Sequence, residues 1–220
     1  MSISQIHLRK ILRIMYAQPN RQISLLRNDI REDLAKEAGV GGGGGDFYGP
    51  FWRDAKDHAT GIGDLHSAVE GRISANKGRS ELYLRLRDGF LTWWNERRRW
   101  TNEPFQPLNS PKSRLEIPDL AAVIKIENFL AVVGSKQDRH FVYPYFSPDP
   151  VLNQEAARLG LWAMAEAAVI PDPTELRILD VIRGQTFGLK SAPLRGNEKE
   201  TFVKRYRNVK QLRDQLMRQY

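Results

Sequence analysis

The chain of 220 residues is 41% hydrophobic, 27% charged and 10% aromatic, which supplies a real core, limits the chain to one or two domains and excludes a disordered polyelectrolyte. Lys and Arg number 34 against 26 Asp and Glu, for a formal net charge of +8, a balance that favours acidic partners. The absence of cysteine removes disulfides, thiol nucleophiles and Cys-bound zinc and fits a reducing compartment. No run approaches the roughly 20 apolar residues of a bilayer span, and the first ten residues lack a signal-peptide h-region, so the expectation is a soluble, cytoplasmic protein with no membrane partner.

Leu8, Ile11, Leu12 and Met15 follow the spacing of one helical face, with Arg9, Lys10 and Arg13 largely off it. The Gln18-Pro19-Asn20 turn ends that helix. A second apolar stripe runs through Ile23, Leu26, Ile30 and Leu34 to Gly39, so residues 1–39 read as a helical hairpin. Five glycines at 41–45 make 40–46 a flexible linker. Phe47, Tyr48, Phe51 and Trp52 then anchor a short helix to the core. Asp64 is positioned to cap the next helix, and Ser80 a longer one that runs to about Trp100, so 47–103 reads as a helical segment.

Pro104, Pro107 and Pro111 form a connector, after which β-branched and aromatic residues come in short runs. Strands are expected at 120–126, 129–133 and 139–146, joined as a three-stranded meander with a turn at Glu127-Asn128. Pro144 points to an edge or a bulge. Asn153 caps an Ala- and Leu-rich helix through Ala168, residues 176–182 form a fourth strand, and a final helix covers 198–219. The fold class is therefore α+β: a helical N-terminal half packed on a small mixed sheet, with 104–220 forming the α+β core and its C-terminal amphipathic helix.

Two basic segments carry the functional signal. In the first, Trp93, Trp94 and Trp100 interleave with Arg97, Arg98 and Arg99. Guanidinium groups pair with phosphate oxygens and indole faces stack on unpaired bases, a combination that suits nucleic acid. The same residues also read as core anchors and a solvated helix end. In the second, the final helix carries seven cations against three acids between Asn197 and Tyr220. Lys204, Arg205, Arg207, Lys210 and Arg213 form its cationic side, which also reads as an ordinary solvated surface. The glycine run is not a phosphate-binding loop, because Asp46 and Phe47 follow where Lys and Ser/Thr are required, and no cofactor motif is present elsewhere. Asp54 and His58, four apart on a helix, with Asp57, Asp64 and His66 nearby, are the best metal option, and they also read as caps and surface groups. Ser147, His140 and Asp149 read as turn residues, since no nucleophile elbow surrounds the serine.

From Pro118 to Ile182 the order of three strands, helix and strand resembles the core of the restriction-endonuclease-like nucleases. Members of that family hold magnesium with acidic residues on the second strand and an acidic-x-Lys triplet on the third. The corresponding runs here, Phe129 to Val133 and Phe141 to Tyr145, contain no carboxylate, so the resemblance implies a binding scaffold rather than a nuclease. The segments Trp93 to Phe105, Tyr143 to Leu161 and Arg177 to Gly184 are also similar to uncharacterised bacterial proteins, which implies a bacterial, cytoplasmic setting. The resulting expectation is a non-catalytic nucleic-acid-associated protein whose two basic segments converge on one surface. A protein-protein adaptor and a metal-dependent hydrolase or nuclease are the alternatives.

Overall fold

The computed structural model describes residues 3–40, 46–98, 100 and 104–220. The chain begins with a short strand β1 (Gln5–His7), followed by α1 (Leu8–Tyr16) and α2 (Pro19–Glu37). Pro19 opens α2, where its missing N–H costs nothing. Next come α3 (Gly49–Ala59), α4 (Leu65–Ala75) and α5 (Ser80–Thr92). Asp64 caps α4 as expected, accepting from the Ser67 N–H at 2.9 Å. Ser80 is the first residue of α5 and not its cap, which falls on Arg79. The helix ends in one wide turn, Trp93–Arg97, closed by Arg98 N–H donating to the Trp93 carbonyl.

The second half contains β2 (Gln106–Pro107), β3 (Ser113–Ile117), β4 (Ala122–Ile126), β5 (Leu130–Val133) and β6 (Arg139–Tyr145). These are followed by α6 (Gln154–Glu166), β7 (Leu176–Asp180), β8 (Gln185–Phe187) and α7 (Glu198–Met217). Asn153 caps α6 by accepting from Ala156 N–H at 2.8 Å. The α+β class holds: helices dominate the first half, strands the middle, and a helix closes the chain.

The expected meander does not form. β4 belongs to a three-stranded sheet ordered β1-β4-β3, and β5 to a five-stranded sheet ordered β2-β5-β6-β7-β8. Asn128 does turn the chain, with φ 71°, but it turns it out of one sheet and into the other. Pro144 lies in β6, a central strand. Tyr145 O accepts from Val181 N–H, so the Pro144 nitrogen faces the opposite side, where pairing with β5 has already stopped at Val142. Locally the position is an edge, and no ladder bond is lost.

Alternate side chains of the five-stranded sheet enter two separate cores. Ala131, Phe141, Tyr143, Leu176 and Ile178 face α1, α6 and α7. Leu130, Val132, Val142, Leu179 and Val181 face α3, α4, α5 and the tryptophan turn. Gly89 brings α5 against the backbone beyond β7, since a Cβ there would sit 2.2 Å from the Val181 carbonyl oxygen. Gly184, at φ +57°, faces it in turn, its added Cβ falling 2.6 Å from the Gly89 oxygen.

Candidate functional site

The wide turn after α5 rotates both tryptophans inward. Trp93 is 1% and Trp94 8% exposed, packed against Phe90 and Phe105; they are core anchors and present no free face to a base. Arg98 lies over Trp94 at 4.1 Å and Phe105 at 4.8 Å, and burial pulls its guanidinium below its ordinary pKa. Trp100 stacks on His140 at 3.7 Å. Arg97 is exposed and donates to the Arg183 carbonyl at 2.8 Å. Arg99 lies outside the described residues.

Three of the six cations of α7, Arg205, Lys210 and Arg213, are engaged by the body of the protein. Arg205 donates to Glu155 at 2.7 and 3.0 Å and covers the Tyr16 ring. Burial alone would raise the Glu155 carboxyl, yet the Arg205 and Tyr16 hydrogen bonds hold it below the usual carboxylate range. Arg213 meets Asp33 at 2.9 Å and Asp29 at 3.5 Å. Lys210 donates to the Leu120 carbonyl. Lys204 and Arg207 are exposed. Because α7 packs on one core and the tryptophan turn on the other, the described residues of the two basic segments lie on opposite sides of the five-stranded sheet and do not converge.

The proposed ligands and turn residues are also occupied. Asp54 takes two hydrogen bonds of 3.0 Å from Arg72, and His58 Nδ1 accepts from Leu65 N–H. Among the described residues no group of three His, Asp or Glu is placed to hold a metal ion. Ser147 Oγ donates to the Asp149 carbonyl and His140 pairs with Asp138.

A different cluster of cations borders open space. Beyond the carboxyl end of β6, which runs parallel to β7, a cavity of about 420 Å³ is lined by Arg9, Lys10 and Arg13 of α1, Glu32 and Lys36 of α2, Asp46, and Tyr145, Phe146 and Ser147. Open α/β sheets place ligand sites outside strand carboxyl ends of this kind. A second cavity of about 390 Å³ is lined by Arg53 and Lys56 of α3, with Trp52 and Asn128. The two share Arg9, Asp46, Tyr48 and Phe146, so they form one cleft divided by a ridge. On that ridge Tyr48 stacks on Phe146 at 4.8 Å with 5° between the planes. The Trp52 indole N–H fixes the far wall by donating to the Asn128 carbonyl at 2.7 Å.

Not all of these cations have a partner. Arg9 pairs with Asp46 at 3.0 Å and Lys10 with the buried Asp29. Arg13, Arg53 and Lys56 have no salt bridge among the described residues, and Arg13 Nε is a buried donor without an acceptor. Burial lowers the Lys56 ammonium below its ordinary pKa; Asp57 opposes this and Arg53 reinforces it. Burial, and then the Arg9 charge, lower His7, which also lines the first cavity. Chemically the cleft offers charge-assisted donors of the kind that pair with anions.

The sequence contained a signal for this cleft. Arg9 and Arg13 are i,i+4 and Arg53 and Lys56 are i,i+3, each on the polar side of an amphipathic helix; only the tertiary fold brings the two pairs together. No protein-family model, no curated protein and no solved structure matches the chain.

Proposed function

We propose that this is a non-catalytic nucleic-acid-associated protein that holds backbone phosphate in the cleft between α1, α2, α3 and the end of β6. The observation that carries the reading is Arg13, which lines a cavity and has no carboxylate partner among the described residues. A guanidinium without a carboxylate partner has its charge uncompensated, and a phosphate supplies the missing negative charge. Arg53 and Lys56 extend the positive field along the cleft. The reading is non-catalytic because Asp54 and His58, the best metal option, are committed to Arg72 and to the Leu65 backbone.

Fluorescence anisotropy with a labelled oligonucleotide at two salt concentrations tests it. Expected are micromolar binding that weakens steeply with salt and an Arg13→Ala variant that binds at least about tenfold more weakly with an unchanged melting temperature. Absence of binding at low salt, or an Arg13→Ala variant equal to wild type, overturns the reading.

A further inference from the structure

We infer that β3 is a self-pairing edge through which two copies of this chain join in antiparallel fashion, with Arg114 of each copy beside Glu116 of the other. The contact lies apart from the cationic cleft, none of whose lining residues belongs to β3. Among the described residues β3 is the longest edge strand, at five residues against three in β1 and β8 and two in β2. The unpaired N–H and C=O groups of an edge recruit another strand unless proline, a bulge or repelling charge blunts it. β2 carries Pro107. β3 has no proline, its five residues pair with β4 without a bulge, and its two charges are of opposite sign.

The ladder fixes which residues of β3 face outward. Val123 N–H donates to the Ser4 carbonyl on the β1 side at 2.8 Å, so Val123 and, two residues on, Lys125 turn their backbone groups away from β3. Their partners Glu116 and Arg114 therefore direct their own N–H and C=O to the open edge, where no backbone group meets them among the described residues. Both residues are exposed, while Leu115 and Ile117 are buried. In a two-fold pairing centred on Leu115, Arg114 and Glu116 of the second copy stand opposite each other as a hydrogen-bonded pair, and the symmetry repeats it, for four backbone bonds in all. Centring on Arg114 or on Glu116 sets like charges opposite each other instead. Charge thus selects one register. Within one copy Arg114 faces Lys125 across the ladder, a like-charge pair that the carboxylate of a second copy offsets. Five paired residues make a small interface, so the dimer is transient, with a Kd on the order of 100 µM.

Sedimentation equilibrium without oligonucleotide, from about 5 to 500 µM protein at about 50 mM salt, tests the inference. Wild type is expected to pass from monomer towards dimer over that range. Arg114→Glu or Glu116→Arg alone sets like charges opposite each other at both pairs and weakens the dimer at least about tenfold. Mixed in equal amounts, the two single variants form a heterodimer of near wild-type affinity, because each supplies the sign that the other lacks. The double variant Arg114→Glu/Glu116→Arg regains the homodimer. Recovery by mixing separates lost charge from lost folding, since both components carry the damaging substitution. Wild type that stays monomeric at about 500 µM overturns the inference. Single variants that associate like wild type also overturn it, by placing the contact on another surface. Single variants that dissociate and are not restored by mixing overturn the antiparallel register.

Discussion

Arg13 on α1 and Arg213 on α7 are the same residue type, both partly buried on helices that pack on one core, yet they differ in what stands beside them. The Arg213 side chain, 13% exposed, lies between Asp29 and Asp33, the first of them 1% exposed. Arg13 has no carboxylate partner among the described residues; each arginine has a buried Nε without a hydrogen bond, so the carboxylates alone set them apart. Arg213 therefore acts as a tie between α7 and α2, and Arg13 as a docking group. Net charge measures neither role, because the acids that decide between them come from distant parts of the chain.

Substitutions that remove structural ties are expected to change stability, and those in the cleft to change binding. Trp93→Ala has the largest effect: removing a fully buried indole lowers unfolding free energy by about 3–5 kcal/mol, read from urea denaturation. Oligonucleotide affinity of the folded fraction stays near wild type. Arg213→Ala leaves the buried Asp29 with Lys10 alone. Losing one partner of a buried charge costs about 3–5 kcal/mol when no other remains, so roughly 2 kcal/mol is expected here, again with little change in binding. Arg13→Ala inverts the pattern: a loss of about 1.4 kcal/mol in binding, or tenfold, with an unaltered urea midpoint. A destabilised Arg13→Ala together with a binding-defective Arg213→Ala would erase the distinction. Asp46→Asn removes the carboxylate that competes for Arg9, and anisotropy should show about two- to fivefold tighter binding, a gain under ~1 kcal/mol as expected for a half-exposed pair.

Local signals in the sequence translated well into elements. The apolar stripes of α1 and α2 became helices at nearly the expected bounds, and the Asn153 and Asp64 caps formed as their spacing required. Pairing was less legible, because it depends on partners far away in the chain. β4 pairs in parallel with β1, a three-residue strand at the N-terminus, and in antiparallel with β3. β3 reads Ser-Arg-Leu-Glu-Ile, with only Leu115 and Ile117 buried, too polar to stand out after a proline-rich connector. The tryptophans illustrate a third limit. An α-helical register distributes Trp93, Trp94 and Arg98 around the axis, whereas the wide turn brings both rings into the core and lays the guanidinium over Trp94. Arg9 and Arg13 were visible off the apolar face of their helix, but their meeting with Arg53 and Lys56 depends on how α1 and α3 come together at the end of β6.

The smallest expected effect is the sharpest check on where binding occurs. Lys204 and Arg207 are exposed on α7, on the far side of the sheet from the tryptophan turn, and neither lines the cleft. Each contributes to the general positive field, and at physiological salt that field decays over about 8 Å. The double variant Lys204→Ala/Arg207→Ala should therefore lower affinity by less than about twofold near 0.15 M salt, with a somewhat larger change at low salt where screening is weak. An equal and large loss at both salt concentrations would mean that a ligand phosphate sits directly on α7. In that case the exposed helix, and not the unpartnered arginine of α1, would be the binding surface.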